Sequence, residues 1–202
     1  MKNRISMVAF FGPDGSGKST VADLIEIDLR ASGKQVIRYH WRPRVLPSLK
    51  KDYKTLSFND PASLSQRNYL ISFICYIYFF LDFLASEFFL FKSSSKNDSI
   101  IIYERYYYDV LVHPQRYRLK RIAWLGSFLA RILRRPNISY LLTGTPEIIY
   151  ARKPELTVEE IRRQIDVICN VVPQYSESEI LNIDDVCAKE IVEKIKKDIK
   201  KM

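Results

Sequence analysis

Apolar residues in this chain come in two rhythms. Short apolar runs of strand length occupy residues 5–11, 35–40, 99–103, 138–143 and 179–183, rich in Ile, Val, Phe and Tyr as buried strands are. Between them, apolar positions recur with helical spacing. The pattern predicts helices over 18–31, with Gly33 placed to end it, and over 121–133, 146–151 and 157–171. Thr157, with Glu160 three residues on, reads as a capping box. A last helix, capped by Asp184 or Asp185, carries Ile191, Ile195 and Ile199 as one stripe with lysines on its other face. Residues 69–91 are apolar on nearly all sides, broken only by Asp82 and Glu87, with Ser63 or Ser65 as the start of that helix. Prolines 43, 47 and 61 mark 41–61 as an irregular loop, 93–98 reads as a second loop, and 106–118 as a polar, aromatic connection. Strands alternating with helices imply an α/β protein: a five-stranded, mostly parallel sheet with helices on both faces. In such sheets ligands bind outside the carboxyl ends of the strands.

Composition narrows this picture. The 202 residues, 47% hydrophobic, suit one domain over 1–202. A formal net charge of +9 fits a site for polyanions, and no nucleic-acid motif accompanies it, so no nucleic-acid partner is expected. Cys75, Cys169 and Cys187 are odd in number and set in apolar or helical surroundings, as reduced core residues are. The chain opens into a strand rather than a cleavable leader, which points to an intracellular, cytoplasmic protein. The uncharged part of 69–91 is shorter than the ~20 residues of a bilayer span. The expectation is therefore a core helix that also makes a homodimer contact, with no membrane span.

The chemistry is concentrated where strands end. After the first run comes Gly12-Pro13-Asp14-Gly15-Ser16-Gly17-Lys18-Ser19-Thr20, which fits G-x-x-x-x-G-K-[ST], the Walker A pattern, between a strand and a helix. Its glycines let backbone N–H groups wrap phosphates, and the helix N-terminus adds positive charge. Lys18 can reach the β- and γ-phosphates of ATP, and Ser19 can ligate Mg²⁺. The third strand ends in Glu104-Arg105: the carboxylate can serve the metal shell or act as a base, and the guanidinium can clamp a phosphate. The second strand delivers His40-Trp41-Arg42-Pro43-Arg44, suited to anion capture. Arg152 and Lys153, in a lid segment over about 151–160, can neutralise a phosphoryl group in transfer. Asp14 beside a phosphate cradle needs a partner: the acceptor, Arg105 or Arg42. Asp109, His113, Gln115, Arg116 and Arg118 are further candidates for acceptor contacts.

Taken together, these residues resemble the thymidylate kinase-like group of P-loop kinases over nearly the whole chain. The loop Gly12–Thr20 is similar to that family's phosphate loop, acidic residue included, and Glu104-Arg105-Tyr106 is similar to its Asp-Arg-Tyr motif. Arg42-Pro43 sits where the family carries an acceptor-phosphate arginine, and Thr143-Gly144-Thr145-Pro146-Glu147 resembles the stretch leading into its lid, which Arg152-Lys153 occupies. The chain departs from the group at Asp82-Phe83, where the family has Asp-Arg, and along 107–118. The resemblance implies a P-loop NTPase fold, ATP and Mg²⁺ as cofactors, and phosphoryl transfer to a nucleoside monophosphate. In it Lys18, Arg105, Glu104, Arg152 and Lys153 are catalytic, and Asp14, Arg42, Arg105 and Asp109 bind the acceptor. Two alternatives stay open: a nucleoside or sugar kinase with a hydroxyl acceptor, for which Glu104 would be the base, and a non-catalytic ATP-binding module.

Overall fold

The computed structural model describes residues 6–47, 66–93, 99–184 and 186–201. Five strands, β1 (Ser6–Phe11), β2 (Gln35–Tyr39), β3 (Ser99–Tyr103), β4 (Ile138–Thr143) and β5 (Ser178–Asn182), form one sheet in the order β2-β3-β1-β4-β5. Every pairing is parallel. Because side chains alternate along a strand, each strand feeds two cores. Met7, Ala9 and Phe11 of β1 join one, with Ile101, Tyr103 and Leu141; Val8 and Phe10 join the other, with Ile100, Ile102, Tyr140 and Leu142.

Helices close both faces. On the first lie α2 (Tyr69–Ser93), α3 (Asp109–Val112), α4 (Ala123–Ile132) and part of α6 (Val158–Val171). On the second lie α1 (Lys18–Ala31), α5 (Pro146–Arg152) and α7 (Ala188–Lys201), whose Ile191, Ile195 and Ile199 are buried as the spacing predicts. Gly33, at φ 76°, ends α1 in the left-handed region, where its amide and that of Lys34 bond back to the carbonyls of Arg30 and Leu29.

Several expectations change at the ends of elements. Ser63 and Ser65 lie outside the described residues; α2 begins after Asn68, whose side-chain oxygen caps the Ile71 amide at 2.8 Å. Thr157 caps α6 by accepting from the Glu160 amide (3.2 Å), but the Glu160 carboxylate turns to Arg163, so only half of a capping box forms. Asp184 accepts from the Thr145 amide (2.5 Å) ahead of α5 and so fixes β5 to that turn instead of capping α7; Asp185 lies outside the described residues. Cys75 is buried, but Cys187 is exposed and is not a core residue. The aromatic connection 106–118 contains α3 and a 3-10 turn, Pro114–Tyr117, and is largely buried rather than polar surface. It opens with Tyr106, Tyr107 and Tyr108, all fully buried, whose hydroxyls donate to the carbonyls of Arg134 (2.7 Å), Tyr76 (3.4 Å) and Tyr175 (3.4 Å).

The long apolar helix α2 is not buried all round. Cys75, Tyr76, Phe79 and Phe83 pack into the core, whereas Leu70, Phe73, Ile74, Leu81, Leu84 and Phe88 are exposed. By length and composition Tyr69–Phe89 is long and apolar enough to cross a membrane, with mean hydropathy 1.7. It is therefore not too short, as the uncharged run alone suggested.

Candidate functional site

The register of β1 against β3 pairs Ala9 with Tyr103. The loop after β1 and the residues after β3 therefore emerge side by side at the carboxyl edge of the sheet. The loop turns on glycine. A Cβ on Gly12 would stand 2.5 Å from Ser16 Oγ and 2.6 Å from the Leu142 carbonyl. Gly15, at φ +91°, passes beneath the end of α5, where a Cβ would meet the Ile149 carbonyl at 3.0 Å and Lys153 Cβ at 3.1 Å. Gly17 (φ 82°) opens α1, and no side chain caps that helix. The amides of its first turn are thus left for an anion or solvent.

Lys18 is buried under this loop. Its ammonium donates to the carbonyls of Gly12 and Pro13, at 2.7 Å each, and lies 3.9 Å from Asp14. Burial, then the nearby Arg105, lowers its pKa to about 7, with Asp14 pulling the other way. Asp14 binds the Arg105 guanidinium and, at 3.1 Å, that of Arg116. Burial alone would raise its pKa; Arg116, then Arg105, Lys18 and Lys153, outweigh it and hold the carboxyl far below the usual range.

Glu104 anchors the other half. Its carboxylate accepts from Ser19 Oγ at 2.5 Å, from Arg38 Nε and Nη2 at 2.9 and 2.6 Å, and contacts His40 Nδ1 at 3.0 Å. Burial works to raise its pKa, but the bonds from His40, Ser19 and Arg38 bring it down to about 2. His40 Nε2 lies 3.3 Å from Arg105 Nη1. A guanidinium only donates, so Nε2 accepts and the Nδ1 proton points at Glu104. Glu104, His40, Arg105, Asp14 and Arg116 form one continuous polar chain beside the loop.

No protein-family model matches this chain, and no curated protein matches it. Its chemistry has to be read from this arrangement.

Most of the residues singled out in the sequence meet here: Gly12, Asp14, Gly15, Ser16, Gly17, Lys18, Ser19, Glu104 and Arg105. Thr20 is exposed on the first turn of α1. Asp109 is buried behind Arg105, 4.0 Å from its Nε, and takes the Tyr117 hydroxyl. Burial pushes its pKa up, but Arg116 and then Arg105 bring it below the ordinary value. Arg42 does not reach Asp14. It is ion-paired with fully buried Asp82 (3.3 Å) and lies over the rings of Trp41, Tyr78 and Phe79. Asp82 also accepts from the Arg44 and Leu46 amides, so it holds the turn after β2. Arg152 points to the Ile183 carbonyl (3.5 Å), while Lys153 sets its Cβ over Gly15 and its ammonium, half-exposed, pairs with Glu155 (3.1 Å). Burial lowers the His113 pKa to about 4.

Two contributors were missed. Arg38 holds Glu104, Glu26 and Asp23. Its only sequence signal was a cation in a mostly apolar strand next to the carboxyl edge. His40 reads as the end of the second strand and the start of an anion-capturing segment, with no partner assigned; its position directly after β2 places it beside Glu104, whose amide bonds to the Tyr39 carbonyl (2.9 Å).

Proposed function

We propose that this chain is an ATP-dependent kinase with a P-loop NTPase fold, similar to the thymidylate kinase-like group, and that its acceptor is a nucleoside monophosphate or a related phosphorylated molecule. One observation carries the reading: a glycine-turned loop opens an uncapped helix over buried Lys18, beside a Ser19–Glu104 pair at the same sheet edge. That is the equipment phosphoryl transfer requires, since positioning and charge neutralisation supply most of its rate.

The residues fit both cofactors. The uncapped first-turn amides of α1 and the Lys18 ammonium, held at the loop by the Gly12 and Pro13 carbonyls, are the donors a triphosphate needs. Ser19 and Glu104 supply oxygen donors from two elements, enough for Mg²⁺, which keeps several waters and shares phosphate oxygens. Bound there, the metal would neutralise charge on the β- and γ-phosphates.

The acceptor class follows from Glu104 and Asp14. A carboxylate with pKa about 2, engaged by Arg38, Ser19 and His40, is a poor base. A hydroxyl acceptor would need a better one. Arg105 and Arg116 instead converge on one carboxylate, Asp14, and two guanidiniums around an anion suit an acceptor phosphate. Lys153, rather than Arg152, is the lid residue that stands over the loop. A cytoplasmic setting goes with the use of ATP.

The test is ADP release from Mg·ATP over a panel of nucleoside monophosphates, nucleosides and sugars, with Lys18→Ala as control. Turnover with a monophosphate, lost in the variant, is expected. Turnover with nucleosides or sugars alone would favour the hydroxyl-acceptor reading. ATP binding without acceptor-dependent turnover would favour a binding module.

A further inference from the structure

Apolar residues exposed one at a time are ordinary; a contiguous face of them is not. The solvent side of α2 carries Leu70, Phe73, Ile74, Leu81, Leu84 and Phe88, and α4 extends it with Trp124, Phe128 and Ile132 at i, i+4, i+8. The Phe73 and Trp124 rings, 6.4 Å apart, join the two helices, and a shallow groove of about 780 Å³ opens where they meet. The two acids of α2 both turn inward. Asp82 is fully buried against the turn after β2, and Glu87 accepts from the Arg134 amide (3.0 Å) and the Tyr106 hydroxyl (3.3 Å).

Among the described residues the charge beside this face is basic. Residues 110–146 contain no Asp or Glu, and Arg116, their one cation paired with Asp14, belongs to the loop site rather than to this face. Arg121 is exposed at the start of α4, Arg131 and Arg135 at its end, and the Lys120 ammonium stands 6.0 Å over the Tyr69 ring at the start of α2. A second copy of the chain is a poor match for such a surface. A two-fold interface sets a face against itself, and among the described residues of α2 and 110–146 this one has cations at its rim and no outward acid to meet them. A bilayer rich in anionic headgroups matches both parts: apolar depth for Trp, Phe and Leu, and phosphates or carboxylates for Arg and Lys.

We propose that the α2–α4 face docks on an anionic lipid surface. The protein lies in the headgroup layer and does not cross it, because the Cys75, Tyr76, Phe79 and Phe83 side of α2 is committed to the core. Docking is independent of the phosphate site, which sits at the carboxyl edge of the sheet.

The experiment is flotation of the full chain with vesicles of phosphatidylcholine alone and with about a third phosphatidylserine. Binding to the mixed vesicles only, weakened by salt, is expected, with a blue shift of Trp124 emission that disappears in Trp124→Phe. Trp124→Glu with Phe128→Glu should abolish binding while the circular dichroism spectrum stays that of the wild type. Arg121→Gln with Arg131→Gln, which leaves the apolar face intact, should lower affinity roughly thirtyfold. Failure of the wild-type chain to bind either vesicle overturns the proposal, as does unchanged binding in both double variants. A wild-type dimer that the Glu double variant converts to monomer would assign the face to a second copy instead.

Discussion

On the proposed function, Lys18 is the group whose state a bound polyphosphate would change. Its ammonium is buried, held by two backbone carbonyls, and flanked by Arg105 and Arg116, and its pKa in the free protein is lowered to about 7. A triphosphate in the loop sets negative charge against it and returns it toward the ordinary lysine value of 10.5. Binding must then take up a proton. At pH 8 the free side chain is about one-tenth protonated and the bound one fully so, an uptake of ~0.9 proton; at pH 7 the uptake is ~0.5, and at pH 6 ~0.1. Apparent affinity should fall about tenfold per pH unit above 7. Titration calorimetry with a non-hydrolysable ATP analogue at pH 8, repeated in buffers of different ionisation enthalpy, reads the uptake directly. At that pH the phosphate, with its second ionisation near ~6, has no proton of its own to contribute. Lys18→Met should abolish the uptake. A buffer-independent heat in the wild-type protein, or an uptake that survives in Lys18→Met, would refute the reasoning. The same depression sets a sign for stability. The native state disfavours the charged lysine, a cost present in full below about pH 7 that fades as pH rises toward 10.5. Lys18→Met should therefore raise the thermal midpoint more at about pH 6 than at about pH 9.

Three further outcomes are expected. Asp14→Asn leaves Arg105 and Arg116, both largely buried, facing each other without a counter-charge; unfolding free energy should drop by about 3 kcal/mol in denaturant melts, with partial recovery in pyrophosphate, and a wild-type midpoint would contradict the pairing. Glu104, held near pKa 2 against an ordinary 4.5, contributes stability that is complete above about 4.5 and lost as pH falls toward 2; acid titration of stability should be shallower in Glu104→Gln, and an identical slope would show that the carboxylate is not held by its partners. Gly15→Ala, at φ +91° with 3.0 Å to the Ile149 carbonyl, should cost about 1–2 kcal/mol and weaken nucleotide binding. Gly17→Ala meets nothing within 4 Å and should cost less; the reverse order in thermal melts would contradict the loop geometry.

Much of this was legible before the structure. The strands were found because their apolar runs are short and dense, and β3 and β4 begin and end where the pattern placed them. The Gly12–Thr20 segment stood out because glycine, lysine and hydroxyl at fixed spacing have few other uses, and it does lie between β1 and α1. Pairings between elements were less accessible. Arg42 looked like an anion ligand because nothing in its neighbourhood announced Asp82, 40 positions on, as its partner. Arg38 looked like a strand cation because Glu104 becomes its neighbour only once β2 lies beside β3. Residues 106–118 read as a connection because their helical turns are too short to show a period. The exposed side of α2 could not be told from the buried one, since both are apolar.

The three tyrosines after Arg105 have a mechanical consequence. Each is buried, and each hydroxyl is tied to a different part of the frame: the end of α4, the middle of α2, and the turn that follows α6. Glu104 and Arg105 are thereby bolted to the body of the protein on their downstream side, and to the sheet on the other. Asp14, fastened to Arg105, ties the loop to the same frame. This half of the site behaves as a stator. On the proposed reading, closure around a ligand falls to the Lys153 side chain on the opposite wall: it is half-exposed above Gly15, while α5 behind it is held by buried Ile149 and by Arg152 on the Ile183 carbonyl (3.5 Å).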